Sequence, residues 1–160
     1  MKRILFSSLV AACLVAPLAQ AADTPGSNPS IKSPTVAERL ASARKSLDAK
    51  EWSAAMRELN AALREDPRNA DVHNLLGYTY RKQPQSDLVK AINHYQAGLK
   101  IDPKHRGIHE YIGEAYLMDK KPAEAEKHLA ELEKICGNKA CEEYQDLAKS
   151  IAAYKAKNGG

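Results

Sequence analysis

The strongest constraint on this sequence is an internal repeat of about 34–36 residues. Glu65-Asp66-Pro67-Arg68-Asn69 recurs as Ile101-Asp102-Pro103-Lys104-His105. In the segments that follow, His73 aligns with His109, Leu76 with Ile112, Gly77 with Gly113 and Tyr80 with Tyr116, each 36 residues apart. A second register aligns Ala55, Ala91 and Ala125, and four residues later Leu59, Tyr95 and Leu129. From Val36 onward the only prolines are Pro67, Pro84, Pro103 and Pro122. Proline interrupts helix interiors, so these mark turns or first helical positions. The stretches between them are rich in Ala, Leu, Lys, Glu and Arg, all strong helix formers. The pattern predicts seven helices, about 36–48, 52–64, 70–83, 87–101, 106–118, 122–135 and 141–156. A fixed period with two helices per period specifies a stack of helical hairpins, each burying the face its neighbour leaves open.

Composition agrees with an all-α chain. Of 160 residues only nine are aromatic (seven Tyr, one Trp, one Phe), which disfavours a β-sandwich or barrel. A net charge of +4 is too small to propose nucleic acid or a membrane surface as partner.

The start of the chain reads as an address. Lys2 and Arg3 precede an apolar stretch from Ile4 to Leu18, and Ala19-Gln20-Ala21 has the small-x-small form of a cleavage site. Residues 1–21 are expected to be a secretory signal peptide, too short in its apolar part for the roughly 20 residues of a membrane span. Val10-Ala11-Ala12-Cys13 offers a competing lipoprotein cleavage site, with Cys13 then lipidated. Cleavage after Ala21 leaves 139 residues, a charge of +2 and two cysteines, Cys136 and Cys141. Residues 22–35, rich in Pro and Ser, are expected to be a disordered leader, with Ser33 or Thr35 capping the first helix.

The repeat resembles the tetratricopeptide repeat family. The resemblance is carried by Leu76, Gly77, Tyr80, Ala91, Tyr95 and Pro103 in the middle repeat. In the third it rests on Ile112, Gly113, Tyr116, Ala125 and Leu129, and in the first on Ala43, Ala55, Leu59, Ala62 and Pro67. The first repeat departs from the pattern at Ser42-Ala43, where the family favours Leu-Gly. The resemblance implies a right-handed α-solenoid of three hairpins, 36–69, 70–105 and 106–139, with residues 140–160 as capping helix and tail. The small residues are then expected where the helices of a hairpin meet, and the large ones to fill the space beside them. In the last helix Tyr144, Leu147, Ile151 and Tyr154 form the apolar stripe of a cap.

The resemblance also implies a concave groove lined by the first helices, holding a peptide or a partner helix. By alignment its lining is Leu40, Arg44 and Leu47, then Asn74, Tyr78, Arg81 and Lys82, then Glu110, Glu114, Leu117 and Met118. One end would be basic and apolar, the other acidic and apolar. Some relatives grip a C-terminal carboxylate with a Lys/Asn/Arg clamp. Leu40 and Leu75 stand where that clamp expects polar residues, so that specificity does not carry over.

No catalytic or cofactor motif is present: no G-x-S-x-G, H-E-x-x-H, P-loop or dinucleotide fingerprint. No cofactor or metal is expected. Cys136 and Cys141 are expected to form a disulfide in an oxidising compartment, with a redox pair or a zinc site helped by His128 as the lesser readings. His73 and His109, like His94 and His128, occupy equivalent positions, which repetition explains without a ligand. The functional expectation is a non-enzymatic periplasmic or secreted adaptor or assembly factor with a protein or peptide partner. A lipid-anchored assembly factor and an accessory to a periplasmic redox or metal enzyme are the rivals.

Overall fold

Seven helices account for nearly all of residues 32–159, the part of the chain that the structure, a computed structural model, describes. They are α1 (Val36–Asp48), α2 (Trp52–Glu65), α3 (Ala70–Lys82), α4 (Leu88–Ile101), α5 (Arg106–Met118), α6 (Pro122–Cys136) and α7 (Glu142–Asn158). There is no strand among the described residues. Every expected helix is present, with ends displaced by at most two residues. The signal peptide expected over 1–21, Cys13 and most of the leader lie outside the described residues.

Local chemistry sets the helix starts. Thr35 accepts a hydrogen bond from the Glu38 amide, and the Glu38 carboxylate accepts from the Thr35 amide, a capping box that satisfies two amides at once. Asn69, Asp87 and His105 cap α3, α4 and α5 through their side chains. Pro122 occupies the first turn of α6, where no amide is missed. Gly137 ends α6 at φ +71°, in the left-handed region that glycine enters without a Cβ penalty.

The helices pack as antiparallel hairpins, α1–α2, α3–α4 and α5–α6, with α7 against both α5 and α6. First helices also meet along the stack, α1 with α3, α3 with α5 and α5 with α7. The core is accordingly a string of three clusters. One centres on Leu47, Leu59, Val72 and Leu76, the next on Tyr95, Ile108 and Ile112, and the last on Leu132, Leu147 and Ile151. Ala43, Ala55, Ala91 and Ala125 are all fully buried, as expected of small residues at helix contacts. Gly77 faces the ring of Tyr95 on its hairpin partner α4. At Gly113 the nearest side chain is Leu147 of α7, so the space this glycine leaves is filled by the cap rather than by α6.

Cys136 at the end of α6 and Cys141 at the start of α7 have their sulfurs 2.04 Å apart. The bond closes a short loop, for which chain entropy gives about 2 kcal/mol. Cys136→Ser is therefore expected to lower the unfolding free energy by about that amount in oxidising buffer. The same difference in the presence of reductant would contradict the pairing.

Candidate functional site

The exposed faces of α1, α3, α5 and α7 line a run of clefts. Arg44, Leu47, Asp48, Leu75, Tyr78 and Tyr111 enclose about 240 Å³. Leu47, Asp48, Lys50, Trp52, Tyr78, Lys82 and Pro84 line an adjoining cleft of about 600 Å³. Between α3, α5 and α7 a third cleft of about 520 Å³ has Arg81, Lys82, Glu114, Leu117 and Met118 on one side. On the other are Ser150, Ala153, Tyr154 and Lys157. A further cleft of about 720 Å³ lies along α2, sharing Trp52 with the second and lined mainly by polar side chains such as Arg57, Glu58, Asn60 and Arg64. It contains none of the expected groove residues.

Eight of the eleven expected lining residues reach the clefts: Arg44, Leu47, Tyr78, Arg81, Lys82, Glu114, Leu117 and Met118. Leu40 packs against the first core cluster instead. Asn74 is buried at 5% exposure, and its Oδ1 has no hydrogen-bond partner. Glu110 is half-buried beside Glu114, Glu143 and Asp146.

Arg81 is the centre of the site. Its side chain is 4% exposed and forms an ion pair with Glu114 at 2.6 Å. Its Nε donates to the Tyr95 hydroxyl at 3.4 Å. The guanidinium carbon lies 5.6 and 5.4 Å from the ring centres of Tyr78 and Tyr111, themselves 5.3 Å apart. Burial opposes the charge on Arg81, but Tyr95 and Glu114 outweigh it and hold the group protonated. Ser150 of α7 donates to the other Glu114 oxygen at 3.3 Å. Arg81 is thus a strut joining both helices of the middle hairpin to α5, not a free cation in the groove.

The acidic end is also less charged than the sequence implies. Glu114 is neutralised by Arg81. The Glu110 carboxyl is pushed up to about 8, first by burial and then by Glu114, Asp146 and Glu143. Sequence reasoning missed Lys50, Tyr111, Lys120 and the whole contribution of α7. One signal was available: Glu114 and Ser150 are 36 residues apart, the repeat spacing, and α7 packs on α5 as the first helix of a further hairpin would.

The histidines form two equivalent modules. His109 Nε2–H donates to the Pro103 carbonyl at 3.0 Å, which leaves its Nδ1 to accept from His128 Nδ1–H at 2.9 Å. His73 does the same with Pro67 at 3.2 Å and with His94 at 3.2 Å. Tyr80 stacks on His94 and Tyr116 on His128. Each module ties both helices of a hairpin to the preceding turn. Among the described residues, the single group of three metal-capable side chains is Cys136, Cys141 and Glu143, and its sulfurs are bonded to each other. His128 is engaged with His109 and does not join the cysteines.

These groups predict a pH profile with two limbs. Burial and then His109 lower the His128 pKa to about 4, so acidification protonates the unfolded chain first. That contribution lowers stability as pH falls from about 6.5 to 4. Glu110 acts oppositely: the folded chain holds a proton that the unfolded chain has released, so stability falls as pH rises from about 4.5 to 8. The two contributions cancel in part between about 4.5 and 6.5. Glu110→Gln is expected to remove the alkaline limb, about 1–2 kcal/mol after allowing for partial exposure, and to unmask the acid limb. Melting temperatures between about pH 4 and 9 decide this; wild type and variant melting alike at pH 8 would contradict it.

The fold and site define a protein of the helical-hairpin repeat class. The tetratricopeptide repeat family model matches residues 40–104 and again residues 85–140. The chain belongs to the tetratricopeptide repeat family. Among solved structures, it is similar to the Yersinia enterocolitica type III secretion translocator chaperone SycD. One SycD structure has a TM-score of 0.67 at 22% identity, covering 81% of this chain and 90% of that chain. An alternative SycD dimer gives 0.66 at 21% identity, with 82% and 99% covered. SycD in complex with a peptide of the translocator YopD gives 0.65 at 22% identity, with 81% and 98% covered. At these identities the likeness is one of fold. No curated protein matches the sequence.

Proposed function

We propose that this chain is a non-enzymatic protein-interaction module of the bacterial periplasm or cell envelope. It holds a peptide or partner helix in the groove formed by α1, α3, α5 and α7, as an adaptor or assembly factor. The observation that carries the reading is the run of clefts along those four helices. They bring apolar Leu47, Leu117, Met118 and Tyr154, with Trp52 from the start of α2, beside Tyr78, Lys82, Lys157 and, from the α1–α2 turn, Lys50. Concave surfaces that mix apolar floors with a few polar groups are the usual places for ligands. Family membership supports the reading, as does the binding of a translocator peptide by SycD, a protein of the same fold. The signal-like residues 1–21 and the Cys136–Cys141 pair support an oxidising, exported location.

Capture from an envelope extract tests the proposal. Wild-type chain is expected to retain a partner that a Tyr78→Ala/Met118→Asp variant, folded by circular dichroism, loses. Equal recovery on both would remove the groove from the account. Mass spectrometry of the exported protein is expected to give Ala22 as its first residue; a lipidated Cys13 would favour the anchored alternative.

A further inference from the structure

We infer that the cleft between α3, α5 and α7 selects an acidic–apolar segment of a protein partner. The inference rests on the groove reading and names the chemistry of what the groove takes. The cleft is lined by three lysines, Lys82, Lys120 and Lys157, and by a single acid, Glu114. Glu114 is already neutralised by Arg81 at 2.6 Å, and its other oxygen accepts a hydrogen bond from the Ser150 hydroxyl. None of the three lysines forms an ion pair among the described residues, whereas Lys121 and Lys155 close by are paired with Asp119 and Glu126. The cleft therefore presents three uncompensated positive charges around an apolar floor of Leu117, Met118 and Tyr154.

Two further observations point the same way. Met118 is 48% exposed, and Val89 is the other large hydrophobic in that state among the described residues. Lys120 sits at φ 57°, in the left-handed region where a residue with a Cβ is strained relative to glycine. Lys50, which lines the adjoining cleft, does the same at φ 58°. Both turns would be easier to make with glycine. Each instead carries a lysine beside a cleft, and Lys82 lies between them, lining both clefts. An occupant with aliphatic side chains for the floor and carboxylates for the lysines satisfies all of these features. A basic or uncharged segment would leave the charge uncompensated.

Fluorescence anisotropy on the purified chain tests this with two labelled peptides. One is Asp-Glu-Leu-Asp-Leu-Leu-Asp-Glu, and the other has Lys at every acidic position. The acidic peptide is expected to bind about tenfold or more tighter than its basic counterpart, and to weaken as salt is raised. Lys82→Ala/Lys120→Ala/Lys157→Ala, all exposed positions, is expected to cost about tenfold, and Met118→Asp to weaken binding further. No binding of the acidic peptide, equal binding of both peptides, or an unaffected triple variant overturns the inference. So does a preference for phosphatidylglycerol vesicles over the peptide, which would make the lysines a lipid-binding patch. If the lysine triple variant still captures the envelope partner while the Tyr78/Met118 variant does not, the groove reading stands and the acidic preference falls.

Discussion

Gly77→Val is expected to lower the unfolding free energy by about 3 kcal/mol, among the largest effects of any single substitution in this chain. A Cβ at position 77 would lie 2.5 Å from Cε1 of Tyr95 and within 2.8 Å of two more of its ring carbons. The ring cannot give way. Tyr95 is fully buried, and its hydroxyl is held by Arg81. A branched side chain must therefore separate α3 from α4. The normal gain in helix propensity over glycine, under about 1 kcal/mol, does not offset that. Gly113→Ala makes the contrast, because the obstruction there is the flexible end of Leu147 at 2.7 Å, on the last helix of the stack. It is expected to cost clearly less. Urea unfolding of both variants reads the difference. A Gly77→Val loss below about 1 kcal/mol would mean that the hairpin adapts where the geometry says it cannot.

Arg81→Met is expected to cost a similar amount, about 3 kcal/mol, by a different mechanism. It removes the partner of Glu114, the donor to Tyr95 and the cation lying against the rings of Tyr78 and Tyr111. Removing one member of a buried pair leaves the other uncompensated, which accounts for most of such losses. Adding Glu114→Leu is then expected to recover a substantial part of the stability, since it removes the stranded carboxylate. Equal stability of the single and double variants would assign the loss to packing alone. Arg81 is accordingly a poor residue with which to probe binding. Its loss would disturb the joint between two hairpins, whereas Tyr78, Lys82 and Met118 report on the groove itself.

The contrast between these residues locates what the sequence could and could not reveal. Helix positions were legible because proline spacing, capping residues and helix formers are local, and because the repeat states each element more than once. The small residues at helix contacts were legible for the same reason. Burial and charge state were not. Arg81 aligns at a groove-facing position, and nothing near it in sequence shows that Glu114, 33 residues on, will bury it. The Glu110 carboxyl is perturbed by Glu143 and Asp146 of α7, a helix read only as a cap. The histidine pairs were visible as repeated residues, but their bonds to each other and to the Pro67 and Pro103 carbonyls follow from hairpin packing.

Site-specific photo-crosslinking tests the central claim most directly. Val89, 70% exposed on α4, and Met118, 48% exposed in the cleft on α5, are matched apolar probes of two different surfaces. With a photoreactive residue at each position in turn, the groove account predicts that the envelope partner is captured from position 118 and not from position 89. Capture from position 89 with none from position 118 would place the partner on the second helices and contradict it.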